Sequence, residues 1–161
     1  MGQRAARLIF LLAAAAVGGG AAAECAPQTV ELRNATGAIQ RFSVEVADDS
    51  QSRARGLMFR ESLPLSSGML FVFPAPKHAT FWMKDTPIGL DIIFVDVTGR
   101  VLRVHENAVP MSEALIDGGP DVAFALEINA GLARPMGIEP GSVLRHPSIA
   151  PDQAAWPCDP P

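Results

Sequence analysis

Apolar and polar positions along this chain alternate with the two-residue period of β-strands more often than with the helical period. In residues 42–46, for example, Phe42, Val44 and Val46 share one face and the residues between them are polar. Continuous apolar runs bounded by Gly and Pro indicate strands that are buried on both faces. Strand patterns of these two kinds occur at residues 29–32, 42–46, 69–73, 81–83, 90–95, 101–105, 124–128 and 143–145. The pattern therefore predicts a chain built mainly of short strands.

Turn-forming residues separate several of these strands. Residues 34–37 and 96–99 are turn sequences, and each predicts a β-hairpin between its flanking strands. Asp48 and Asp49 can cap one short helix over residues 50–58, which Gly56 limits. Residues 130–136 predict a helical turn. We therefore expect a mainly β, single-domain sandwich of jelly-roll type, with one short helix and small helical turns.

The N-terminus has the order of a signal peptide. Arg4 and Arg7 precede an apolar run and then small residues that end before Glu24. The run is about 10 residues long, whereas a membrane-spanning helix needs roughly 20, so no span is expected in the mature chain. Because Glu24 stands where a lipid-attachment motif requires a small residue, Cys25 is not expected to carry a lipid. The predicted organisation is a signal peptide at 1–23, a β domain at 24–146 and a Pro-rich tail at 147–161.

Composition and charge narrow the class of protein. The chain has 161 residues, of which 48% are hydrophobic and 19% charged, as in folded globular domains and unlike disordered chains. The formal charge is -4, and removal of Arg4 and Arg7 with the leader leaves 11 basic and 17 acidic residues, or -6. An acidic chain without basic clusters is not expected to bind nucleic acid. We expect a soluble protein that is periplasmic or secreted.

Export changes the meaning of the two cysteines, because thiols outside the cytoplasm can persist as disulfides. Cys25 and Cys158 lie near opposite ends of the mature chain, so a bridge between them would join its two tails. The alternative is two free thiols, since sequence does not establish the Cα approach that a bridge requires. The disulfide is the favoured interpretation.

Six blocks occur in a specific order and spacing. They are RGLM at 55–58, GMLF at 68–71, FWMKDT at 81–86, LDIIF at 90–94, GRV at 99–101, and Leu-Glu at 126–127 followed by Ala-Gly at 130–131. Together they resemble the DUF192 family, also called UPF0127, over roughly residues 42–143. The resemblance implies a compact, mainly β sandwich of jelly-roll character that is commonly exported in bacteria, and it implies no reaction. The family pattern usually has Asn after the Lys of the third block, where this chain has Asp85.

Known catalytic signatures are missing from the sequence. It contains no GxSxG, HExxH, Walker loop, GxGxxG or CxxC pattern. His78, His105 and His146 are too scattered to predict a metal site. The sequence therefore specifies no cofactor and leaves enzymatic activity undecided.

The informative residues are charges inside apolar strands. The alternation in residues 90–95 places Asp91 beside Ile93 and Val95, where an unpaired carboxylate would be costly. Arg55, Lys84 or backbone N–H groups could satisfy it, and the energetic argument favours an ion pair with Arg55 or Lys84. Such a pair is either a fold-fixing feature or the border of a polar pocket.

The function that we expect from these features is binding of a small polar or anionic ligand by an exported module. One alternative is a hydrolase or isomerase with Asp91 or Glu127 as general base, and another is a structural or assembly factor. The oligomeric state is not predicted. The candidate ligand-binding residues are Arg55, Trp82, Met83, Lys84, Asp85, Asp91 and Glu127.

Overall fold

The computed structural model describes residues 25–158. The predicted signal peptide and the start of the mature chain at Glu24 lie outside the described residues. The elements are β1 Thr29–Arg33, β2 Ile39–Ala47, α1 Ser50–Arg55, β3 Ser67–Phe81, β4 Leu90–Val95, β5 Val101–Ala108, β6 Ile116–Asn129 and β7 Val143–Arg145. The prediction of a mainly β single domain with one short helix is confirmed. No helical segment within residues 25–158 has the length and hydropathy that crossing a membrane requires.

The seven strands form one sheet in the order β5-β4-β6-β3-β2-β1-β7. Neighbouring strands are antiparallel except for β2 and β3, which are parallel. The sheet curls until its two edges meet, where Arg100, directly before β5, pairs with Val143 of β7. Two backbone hydrogen bonds flank this contact, from Val101 N–H to the Ser142 carbonyl and from Leu144 N–H to the Gly99 carbonyl. The architecture is thus a sheet closed on itself at one end.

Both faces of the central strands are buried. One apolar cluster draws side chains from all seven strands and fills the interior of the curled sheet. A second cluster covers the opposite face of β3, β4 and β6, and it includes Leu57 and Met83 from the loops that follow α1 and β3. Every residue of β4 is buried, which explains why all of its residues except Asp91 are apolar. The candidate site lies on the side of the second cluster.

The two predicted hairpin turns are confirmed, and both depend on a side-chain oxygen. Asn34 Oδ1 accepts hydrogen bonds from the N–H groups of Thr36 and Ala38, and Asp96 Oδ1 accepts from those of Thr98 and Arg100. These Asx turns supply locally the hydrogen bonds that the reversing backbone lacks.

Helix α1 begins at a capping box. Asp49 Oδ1 accepts from the N–H groups of Gln51 and Ser52, and the Ser52 hydroxyl lies 3.3 Å from the Asp49 nitrogen. The helix ends at Arg55, three residues before the predicted end, because Gly56 takes φ +50°. A Cβ at Gly56 would lie 3.2 Å from the Phe71 ring, so this residue also brings the helix end close to β3.

The C-terminal segment, residues 147–158, packs on the sheet. Ile149 is buried in the interior cluster, and the guanidinium groups of Arg33 and Arg145 lie 4.5 and 4.3 Å from the centroid of the Trp156 ring. A disulfide joins Cys158 to Cys25, whose Cα atoms are 5.4 Å apart. The two ends of the described chain are therefore adjacent.

Candidate functional site

A cavity of about 640 Å³ lies between α1 and the β3 strand. Its walls come from two segments, residues 53–58 and 73–82, and its deeper surface includes Phe71, Thr86 and Glu127. A volume in this range is typical of small-molecule sites in proteins. The cavity is therefore the candidate functional site of the described chain.

A proline-containing bulge in β3 forms one wall. Val72 pairs with Phe124 and Lys77 with Val122, so five steps along β3 correspond to two along β6. The extra residues include Pro74 and Pro76, which have no N–H for strand pairing and restrict their own φ angles. The bulge therefore pushes the backbone out of the sheet and supports the wall without a long flexible loop.

Glu127 lies at the bottom of the cavity, and it is only 4% exposed. It pairs with Met69 of β3 and Ile92 of β4, so both of its strand neighbours are apolar. No described residue hydrogen-bonds to its buried Oε2 atom. Burial disfavours the charged form and raises the pKa of Glu127 to about 8, so the side chain is mainly a neutral acid at pH 7.

Aromatic rings line the space beside this carboxyl group. Phe81 makes edge-to-face contacts with Phe71 at 5.1 Å, Phe94 at 5.5 Å and Phe73 at 6.4 Å between ring centroids. Trp82 also lines the cavity and is 42% exposed, which places it toward the opening. The cavity wall is thus apolar from Phe71 outward to Trp82.

Three cationic side chains line the same cavity. Arg53 is held in place, because its Nη1 donates to the carbonyl oxygens of Val72, at 3.0 Å, and Asp48. Arg55 and Lys77 are exposed, and neither has an ion-pair partner within residues 25–158. Lys77 Nζ lies 5.3 Å from the Phe73 ring centroid. The opening is therefore positively charged although the chain as a whole is acidic.

Asp91 is fully buried, but the predicted ion pair with Arg55 or Lys84 is wrong. Its Oδ1 accepts from the backbone N–H groups of Asn107 at 2.8 Å and Gly131 at 3.1 Å, and its Oδ2 accepts from that of Ala133 at 2.8 Å. Three backbone donors satisfy a carboxylate without any cation. Asp91 thus ties the loop after β6 to β4 and β5, and it is absent from the cavity lining.

Asp91 and Glu127 also lie on opposite faces of the sheet. Asp91 pairs with Ile128, while the next residue, Ile92, pairs with Glu127. Since side chains alternate between the faces of a strand, the two carboxyl groups point in opposite directions. They do not form one polar cluster, and Asp91 lies outside the lining of the cavity that contains Glu127.

The remaining predicted site residues lie in the loop after β3. Met83 is buried in the second cluster, and Lys84 Nζ lies 3.8 Å from Glu113 and 5.3 Å from the Trp82 ring. Asp85 takes φ +54°, and its carbonyl accepts from Phe59 N–H at 2.7 Å. Asn and Asp both tolerate this left-handed conformation, so Asp85 keeps the backbone geometry that Asn would also allow.

Sequence reasoning thus identified Arg55, Trp82 and Glu127 of the cavity but missed other members. The sequence pattern favours Phe81 and Met58 as core residues rather than pocket walls, and Lys77, Thr86, Phe71 and Phe73 were not singled out as site residues. The Pro-x-Pro interruption at residues 74–76 was a signal of irregular strand structure. Within residues 25–158 there is no group of three His, Cys, Asp or Glu side chains suited to a metal ion.

Comparison with known proteins places this fold in a family. A crystal structure from Sinorhizobium meliloti 1021, described as a "putative transcription regulator", is 39% identical, with a TM-score of 0.73 over 78% of this chain and 98% of its own. A protein of unknown function from Novosphingobium aromaticivorans DSM 12444 is 42% identical, with a TM-score of 0.69 over 73% of this chain and 83% of its own. No curated protein matches. The DUF192 family model, described as "Uncharacterized ACR", matches residues 31–146, and the chain therefore belongs to the DUF192 family.

Proposed function

We propose that this protein is an exported module that binds a small molecule in the cavity between α1 and β3. The observation that carries the proposal is Glu127, a buried carboxyl group with an unpartnered oxygen at the bottom of that cavity. A buried polar group without a hydrogen bond destabilises the fold, because its lost hydration is not replaced. A ligand atom that bonds to it would offset this cost.

The contrast with Asp91 supports a binding role rather than a structural one for Glu127. Three backbone N–H groups donate hydrogen bonds to Asp91, and these bonds show how the fold satisfies a carboxylate that has a structural role. Glu127 receives no such donor at Oε2, which is a buried atom, and its side chain forms part of the cavity lining. This unused hydrogen-bonding capacity in the lining favours a ligand-binding role over a structural one.

Export rests on the N-terminal sequence and on the cysteines. Arg4, Arg7 and the apolar run that follows have the order of a signal peptide, and the Cys25–Cys158 disulfide is compatible with an oxidising compartment. On this proposal the protein acts in the periplasm or as a secreted protein.

A second candidate is an enzyme that uses Glu127 as a proton donor or acceptor. The pKa of about 8 supports it, because an acid–base group works best when its pKa lies near the operating pH. Glu127 suits this role better than Asp91, whose oxygens are occupied by backbone donors. Turnover of a bound compound that Glu127→Gln abolishes, while binding persists, would favour the enzyme.

The test is a thermal-shift screen of small metabolites, combined with native mass spectrometry of protein purified from the exported fraction. We expect at least one compound that stabilises the native protein and loses most of its effect in Glu127→Leu. Glu61→Gln is the control, because Glu61 is exposed and lies outside the cavity lining. If every stabilising compound acts equally on the native protein and Glu127→Leu, the cavity is not the binding site and the proposal fails.

A further inference from the structure

The chemical class of the ligand follows from how charge is distributed over the cavity. Its lining contains three cations, Arg53, Arg55 and Lys77, and a single acid, Glu127. Because burial keeps Glu127 mainly neutral at pH 7, the lining carries net positive charge in a protein whose overall charge is -4. A local positive charge in an acidic protein attracts anions to this opening.

The apolar side chains lie deep in the cavity, and the positively charged side chains of Arg55 and Lys77 lie near its opening. Phe71 and Leu57 are each 2% exposed, and Glu127 lies at the same depth. Arg55 and Lys77 are exposed and so belong to the rim. A ligand that satisfies both regions has an apolar body directed inward and an anionic group directed outward.

The acid at the bottom adds a third requirement. A neutral carboxyl group offers one O–H donor in addition to acceptor capacity. Thr86, also in the lining and 5% exposed, already uses its hydroxyl hydrogen on the Lys84 carbonyl, so it offers mainly an acceptor. An oxygen or nitrogen acceptor at the inner end of the ligand would receive the Glu127 proton in a hydrogen bond.

Resting on the proposed binding function, we infer that the ligand is an amphipathic organic anion. Its aromatic or alicyclic body packs against Phe71, Phe81 and Trp82, its carboxylate, sulfonate or phosphate group faces Arg55 and Lys77, and a buried acceptor bonds to Glu127. A cavity of about 640 Å³ holds a body of two or three rings.

Two matched dyes test this inference. 1-Anilinonaphthalene-8-sulfonate and N-phenyl-1-naphthylamine have the same ring system, and only the first carries a negative charge. Binding is read as quenching of Trp82 in a Trp156→Phe background, since these are the two Trp residues of the chain and Trp156 lies on the C-terminal segment. Because these dyes quench Trp fluorescence by energy transfer over distances comparable to the size of the domain, the signal reports binding, and variants of the cavity lining locate the bound dye.

We expect the sulfonate to bind more tightly than the neutral dye at 20 mM salt, by about five-fold or more, and we expect 500 mM salt to remove the difference. Arg55→Ala and Lys77→Ala should each weaken the affinity for the sulfonate by about three- to five-fold, because each removes one nearby positive charge. The affinity for the neutral dye should change by less than about two-fold. Arg100→Ala is the matched control, because it removes an exposed positive charge outside the lining.

The outcomes separate this inference from the function on which it rests. If both dyes bind equally and neither rim variant changes the sulfonate's affinity, the anionic class is wrong; the binding proposal then stands if Glu127→Leu weakens both dyes and fails if it weakens neither. If neither dye quenches Trp82, the cavity does not admit an aromatic body, and both the class and the binding proposal are overturned.

Discussion

Replacement of Glu127 by Gln should stabilise the protein at neutral and alkaline pH. The folded-state pKa is about 8 and the ordinary value is 4.5, so between these values the unfolded chain releases a proton that the folded chain retains. The free energy of unfolding of the native protein therefore falls as the pH rises from 4.5 to 8, and it is constant with respect to this group below and above that window. Gln keeps the shape of the side chain and removes the titration.

The magnitude follows from the size of the shift. One pKa unit corresponds to about 1.4 kcal/mol, so the Gln variant should gain about 3 kcal/mol relative to the native protein between pH 4.5 and pH 7, and about 4 kcal/mol by pH 8. Urea denaturation followed by circular dichroism at pH 4.5, 7 and 8.5, with the disulfide intact, measures this difference. Other titrating groups are common to both proteins and cancel.

Glu61→Gln is the matched control, because the exposed Glu61 carboxylate should leave the pH dependence unchanged. If the free energies of unfolding of the native protein and Glu127→Gln change in parallel from pH 4.5 to 8.5, then burial does not raise the pKa of Glu127 and its carboxyl group is ionised at pH 7. That result would contradict the neutral acid on which the ligand class depends.

Three further changes test other parts of the fold. Asp91→Asn should lower the free energy of unfolding by about 2–3 kcal/mol, because the amide N–H₂ group would face backbone N–H donors, and the affinity for the dyes should not change. Weaker dye binding with an unchanged urea midpoint would contradict a structural role for Asp91. Burial keeps the pKa of His146 below its ordinary 6.5, so stability should fall as the pH drops from 7 to 5, and His146→Gln should reduce this slope in urea titrations; an unchanged slope would show that His146 titrates normally. Cys25→Ser with Cys158→Ser removes a link across 133 residues, and the chain-entropy relation predicts that the free energy of unfolding falls by about 5 kcal/mol. A fall of less than about 1 kcal/mol in denaturation under non-reducing conditions would show that the packing of Ile149 and Trp156 holds the segment without the disulfide.

The strands and the side on which each residue lies could be read from the sequence. Alternation placed Asp91 on the face of Ile93 and Val95, and the structure confirms this placement. Hairpin turns were equally accessible, because Asn34 and Asp96 form local hydrogen bonds that depend on neighbouring residues alone.

The partners of the buried charges could not be read in the same way. Sequence showed that Asp91 needed donors, but two of its donors come from Asn107 and Gly131, whose positive φ angles depend on the fold around them. Glu127 was a candidate without a known environment, since its face of β6 is covered by α1 and by loops distant in the chain. The sequence of a strand shows that a charge is buried there, whereas the segment that covers the charge is determined by the tertiary structure.

The adjacency of Cys25 and Cys158 makes the described chain nearly a ring. Because their Cα atoms are 5.4 Å apart, a peptide linker of a few residues could replace the disulfide, and a circular permutant opened in the turn at residues 34–37 would keep every strand pairing. None of the residues near either end lines the cavity. A surface tether or a reporter domain attached there would therefore leave the cavity free, and such a permutant would retain its fold in a reducing cytoplasm, where the native bridge would not form.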